Sequence, residues 1–136
     1  MRSPTLLNPH SHVNLPIADL RAITQQLEAL KQVAPEWDGP GTITPGPVVV
    51  DRTAAWLTKY WRTELGIPDI CPTADGGVSI SWEWNAIEHS IDVRSDGSSM
   101  EWCQYNPRTL QTIETEIGMD HQGWDTILTA LNQSAV

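Results

Sequence analysis

The sequence predicts an α+β domain: a three-stranded antiparallel meander over about 78–105, with two helices before it and two after, packed on one sheet face. Three observations predict this. Apolar residues recur at helical spacing on both sides of the meander. Between them the hydrophobic period changes to two. Two turn signals then independently set the same strand register.

Residues 1–14 hold two prolines, two asparagines and two histidines, and read as a flexible arm before a single domain over 15–136. Ile17, Leu20, Ile23, Leu27 and Leu30 form one helical stripe, with Asn14 as N-cap, Pro16 in the first turn and Pro35 ending the helix. A second helix fits 47–65, where Val50, Ala54, Leu57, Trp61 and Leu65 share a face beside Trp56 and Tyr60. Pro47 suits its first turn and Gly66 its C′ position.

The stretch "GIPDICPTADGG" is too rich in Pro, Gly and Asp for a helix, and has room for a short edge strand at 69–71. Residues 78–84, "VSISWEW", then alternate: Val78, Ile80, Trp82 and Trp84 on one face, Ser79, Ser81 and Glu83 on the other. Residues 87–94 and 98–105 alternate as well. A two-residue turn at Asn85-Ala86 pairs Trp84 with Ile87, Trp82 with His89, Ile80 with Ile91 and Val78 with Val93. Asp96-Gly97, the stronger type I′ signal, pairs Val93 with Met100, Ile91 with Trp102 and His89 with Gln104. Both turns send the large apolar residues to one face.

Two short helices are expected to close the chain. Asn106 caps the first, Pro107 starts it, and Leu110, Ile113 and Ile117 form its stripe up to Gly118. Trp124, Ile127, Leu128 and Leu131 form the second.

Composition bounds the function. The chain has 136 residues, 40% hydrophobic, with seven tryptophans and no phenylalanine. Eight Lys+Arg against 17 Asp+Glu give a net charge of −9, which disfavours binding to nucleic acid or an anionic membrane and suits a basic protein partner. Cys71 and Cys103 are too few for a disulfide framework, and free buried thiols fit a cytoplasmic chain. No run approaches a membrane span and the N-terminus has no signal-peptide core, so the expectation is a cytoplasmic protein.

Motifs for chemistry are sparse. There is no G-x-S-x-G, phosphate loop, H-E-x-x-H or paired C-x-x-C, so no catalytic residue, metal ligand or cofactor is assigned. His10 and His12 lack further ligands in sequence, His89 falls by register on the core face, and His121 belongs to a turn or cap.

Two candidate partner-binding surfaces emerge. The register puts Glu83 opposite Glu88 and Asp92 opposite Glu101 on the outer face, among Ser79, Ser81, Ser90, Ser99 and Cys103, with Arg94 the only nearby base. Facing like charges are unfavourable, so this face either receives cationic side chains from another protein or is a solvated surface that resists aggregation. The second surface is "PEWDGPG" at 35–41. There Trp37 is either a plug folded between the first two helices or, with Asp38, an exposed recognition loop; Asp38 suits an Asx-turn.

Trp37-Asp38-Gly39, Pro72 with Asp75-Gly76-Gly77, Trp82 or Trp84, and Asp96-Gly97 follow one another over residues 35–105. This ordered set resembles a group of small bacterial proteins with W-D-G, an amphipathic helix, P-x-x-D-G-G-hydrophobic-x-hydrophobic-E-W, and a strand-D-G-strand hairpin. One departure is that Ser81-Trp82 stands where that pattern has Glu-Trp, and Glu83-Trp84 comes two residues later. The resemblance implies a bacterial or phage source and a similar α+β fold, brings no established activity, and points towards toxin neutralisation or host–phage conflict. The leading expectation is a non-enzymatic protein-binding module of antitoxin or immunity type that neutralises a basic bacterial or phage-related partner. The alternatives are a small carboxylate- or metal-dependent hydrolase, with a divalent ion between facing Asp and Glu, and an acidic nucleic-acid mimic.

Overall fold

The computed structural model describes Leu7 and residues 15–133. Helices α1 (Ile17–Leu30) and α2 (Pro47–Tyr60) come first, followed by one 3-10 turn at Thr63–Leu65. Five strands follow: β1 (Asp69–Pro72), β2 (Val78–Trp84), β3 (Ile87–Val93), β4 (Met100–Asn106) and β5 (Gln111–Ile117). Helix α3 (His121–Gln133) comes last. The strands lie in chain order in one antiparallel sheet.

The expected α+β class therefore stands, but the three-stranded meander with two helices before and two after does not. Among the described residues the sheet has five strands, and only one helix follows it. The short edge strand near 69–71 forms as β1, paired with β2. At the other edge, the helix expected over 107–117 is strand β5. Asn106 does cap, since its Oδ1 accepts the N–H groups of Arg108 and Thr109, but only one turn follows. Leu110 then adopts a left-handed φ of 62° and reverses the chain. Beyond it, "QTIETEI" is β-branched at Thr112, Ile113, Thr115 and Ile117, and β4 offers a row of unpaired backbone groups. The helical spacing of Leu110, Ile113 and Ile117 was fortuitous: Leu110 and Ile113 are exposed.

Within the meander the register follows the turn chemistry at every pair: Trp84 faces Ile87, Ile80 faces Ile91, Val93 faces Met100 and Ile91 faces Trp102. The turns exchange roles. Asn85 and Ala86, at φ 49° and 66°, make the type I′ turn. In the second turn only Gly97 is left-handed, at φ 69°, and the loop is four residues long, closed by Arg94 N–H on Ser99 O at 3.0 Å. Two-residue and four-residue loops both leave Val93 opposite Met100, so the register survives.

Helix α1 starts after Pro16, which sits at the N-cap itself, and it ends at Leu30, before Pro35; the expected cap Asn14 lies outside the described residues. Its stripe is buried at Ile23, Leu27 and Leu30 but exposed at Ile17 and Leu20. Helix α2 stops five residues short of the expected end because Trp61 turns extended, at ψ 144°. That turn seats the Trp61 indole edge-on against Trp82 at 5.1 Å, and its N–H donates to Gly66 O at 2.8 Å.

The core is a run of rings where most domains use phenylalanine. Trp56 meets Trp124, Trp124 meets Trp61, Trp61 meets Trp82, Trp82 stacks on His89, and His89 stacks on Trp102, with centroids 5.0–6.2 Å apart. A buried indole N–H is stabilised by an acceptor, and that of Trp82 has none among the described residues. Trp84 finds the carbonyl of Leu131 at 3.1 Å, which ties β2 to α3. The predicted arm over 1–14 lies outside the described residues except at Leu7. That residue is buried, and its backbone N–H and C=O both bond the side chain of Asn132.

Candidate functional site

Alternation sends Val78, Ile80, Trp82 and Trp84 inward and Ser79, Ser81 and Glu83 outward, and the register carries this division across all five strands. The outer face forms three rows. Cys71, Ser79, Asp92, Glu101 and Glu116 lie side by side in one. Asp69, Ser81, Ser90, Cys103 and Glu114 form the next, and Glu83, Glu88, Tyr105 and Thr112 the third. Every one of these residues is exposed or half-buried, so none of the three helices among the described residues covers the face.

The four acidic residues expected to meet, Glu83, Glu88, Asp92 and Glu101, do share this face, with Glu83 opposite Glu88 and Asp92 opposite Glu101. Asp69, Glu114 and Glu116 enlarge the group to seven carboxylates. Glu114 and Glu116 were hidden by the helical reading of β5; the signal that reveals them is the strict alternation of Thr112, Glu114 and Glu116 with Ile113, Thr115 and Ile117. Neighbouring strands lie about 4.8 Å apart, so Asp92, Glu101 and Glu116 are three like charges at that spacing. Arg94 is the one base beside them; its guanidinium lies 3.5 Å from Glu116 and also donates to Ser99 Oγ. Small side chains keep the middle of the face low.

Trp37 and Asp38 are not part of this face. Trp37 does not plug the two helices: it is 37% exposed, and its indole N–H reaches Ile43 O at 3.4 Å. Instead of forming an Asx-turn, Asp38 donates its backbone N–H to Thr42 Oγ1, and Thr42 closes the loop by donating that hydroxyl to Gly39 O. Ile43 N–H then bonds Ala74 O, which docks the loop on the β1–β2 turn at one end of the sheet.

That turn explains the Asp75-Gly76-Gly77 motif in structural terms. Thr73 Oγ1 accepts Gly77 N–H and donates to the Asp75 carboxylate. A Cβ on Gly77 would sit 2.3 Å from the carbonyl oxygen of Val93, so only glycine lets β2 approach β3 here.

The remaining candidates are placed as follows. His89 is a core residue, 2% exposed, and burial lowers its pKa from 6.5 to about 4. His121 opens α3, with Nε2 3.4 Å from Asp125 Oδ2; His10 and His12 lie outside the described residues. Both cysteines are free, but they are not the buried thiols expected: Cys71 is exposed and Cys103 half-buried, because both belong to the open face. Desolvation raises the Cys103 thiol above its ordinary pKa, and the carboxylates of Glu114, Asp92 and Glu101 add to the rise, so it stays a thiol rather than a thiolate nucleophile. Among the described residues no group of three or more His, Cys, Asp or Glu side chains is arranged to hold a metal ion. No helix among them is long and apolar enough to cross a membrane.

What this arrangement can do chemically is present a flat field of negative charge over a floor of hydroxyls. Comparisons of the chain with protein-family models, with curated proteins and with solved structures returned no match.

Proposed function

We propose that this is a non-enzymatic binding protein whose open acidic sheet face receives a basic surface of another protein, as an antitoxin or immunity protein neutralises its target. One observation carries the reading: Asp92, Glu101 and Glu116 stand on three adjacent strands with a single arginine beside them. Like charges set directly across strands cost stability, and a cationic partner removes that cost on binding. The uncovered face, the low serine floor and the net charge of −9 support the same reading. The resemblance to small bacterial proteins supports a partner from a bacterial or phage setting, and the sequence, with no signal-peptide core at its start, supports a complex formed in the cytoplasm.

Affinity capture identifies the partner, and rapid-mixing kinetics tests the surface. Glu88→Gln combined with Glu101→Gln is expected to slow association and flatten its salt dependence, as when steering charges are removed. An association rate and salt slope equal to the parent's would reject the sheet face as the interface, and would leave the Trp37-Asp38 loop as the surface to test.

A further inference from the structure

Helix α2, the first turn of α3 and the β3–β4 loop enclose an open cleft of about 580 Å³, within the range of small-molecule sites. None of the seven sheet-face carboxylates lines it. Two of the chain's eight Lys and Arg residues do: Arg52 and Lys59, seven residues apart and so on one side of α2, about 10 Å from each other along the axis. Arg52 is held in place by a 3.1 Å bond from Nη1 to Gly97 O. Lys59 makes no ion pair among the described residues; its ammonium sits 5.3 Å over the Tyr60 ring.

Tyr60 is half-buried and forms an aromatic wall, 5.8 Å from the His121 ring and 5.9 Å from Trp56. The cleft's one carboxylate, Asp120, caps α3 through Oδ1, which accepts Gly123 N–H at 2.8 Å, so the two cations of the lining outnumber it. The N–H group of His121, which lines the cleft at the start of α3, makes no hydrogen bond among the described residues. The free N–H of His121 at a helix start, two cations and a ring wall therefore line one cavity, in a chain whose charge elsewhere is strongly negative.

We propose that this cleft binds a small anion carrying a planar ring, of the nucleoside monophosphate kind. The anionic group meets Lys59, Arg52 and the first turn of α3, and the ring lies on Tyr60 and His121. This site is separate from the acidic face and does not depend on it.

The test is a nuclear magnetic resonance titration of the ¹⁵N-labelled full chain with AMP, and with inorganic phosphate and adenosine in parallel. The indole N–H of Trp56 donates to Asp120 O at the floor of the cleft and reports occupancy. AMP is expected to shift that resonance and the amides of Gly97, Ser98, His121 and Gln122 along one saturating curve. Phosphate and adenosine should each bind at least about tenfold more weakly, and Lys59→Gln should weaken AMP about tenfold, the loss of one charge-assisted contact. Lys59 is exposed, so that variant keeps its fold, verified by its unchanged indole resonances. The absence of a saturating shift with AMP, or AMP affinity untouched by Lys59→Gln, would overturn the site. Equal affinity for phosphate and AMP would overturn the ring wall.

Discussion

The indole N–H of Trp102 donates to Nδ1 of His89 across 3.2 Å, between two rings that stack nearly parallel. Nδ1 is thereby the acceptor, so the proton of the neutral imidazole sits on Nε2, which is buried without a partner among the described residues. A second proton would place a charge in the aromatic core. That is why burial lowers this histidine's pKa from 6.5 to about 4.

Stability should therefore fall with acid. Above pH 6.5 the ring is neutral in the folded and unfolded chain alike. Below it, the unfolded chain takes up a proton that the folded chain refuses until about pH 4. Denaturant titrations are expected to lose roughly 3 kcal/mol between these pH values. His89→Phe should abolish that slope while costing about 1–3 kcal/mol at neutral pH, because the Trp102 N–H loses its acceptor. Because acid also relieves the repulsion on the sheet face, the comparison is with the variant: the same pH dependence in the parent and in His89→Phe would contradict the buried neutral ring.

Two turns carry side chains where glycine is preferred. Ala86 and Leu110 adopt φ values of 66° and 62°, and Leu110 is 72% exposed, so neither side chain contributes packing that offsets the strain. Ala86→Gly and Leu110→Gly should each stabilise the protein by about 0.5–1 kcal/mol in thermal unfolding. Destabilisation by Leu110→Gly would mean that β5 is not reached through this left-handed turn.

Glu101 lies between Asp92 and Glu116, and is the residue most crowded by like charge. Glu101→Gln should raise the melting temperature of the isolated protein by about 1–3 °C at low salt, with the gain shrinking as salt screens the face. Calorimetry at two ionic strengths reads both effects.

The side chain of Asn132 accepts Leu7 N–H at 2.8 Å and donates to Leu7 O at 2.9 Å, which pins Leu7 to α3. Asn132→Ala should cost about 1–3 kcal/mol, read by denaturant titration. Stability equal to the parent's would show that burial of the Leu7 side chain, not the Asn132 bonds, holds Leu7 in place.

Some of this molecule is local physics, and the sequence by itself determined it. Period-two alternation from Val78 to Tyr105 and the parity of two short loops fixed which residues face each other, including Glu83 with Glu88 and Asp92 with Glu101. A shift by one residue would have turned every tryptophan of the meander to solvent. Tertiary structure decided the rest, because the competing local states were close in free energy. Asn106-Pro107 is a sound helix start, and only the open edge of β4 made 111–117 a strand, which brought Glu114 and Glu116 to the acidic face. Trp61 left its helix because Trp82 offered a packing partner distant in sequence. The Lys59 and His121 cleft was illegible for the same reason: its walls are separated by the entire sheet in sequence, and only the packing of α3 against α2 joins them.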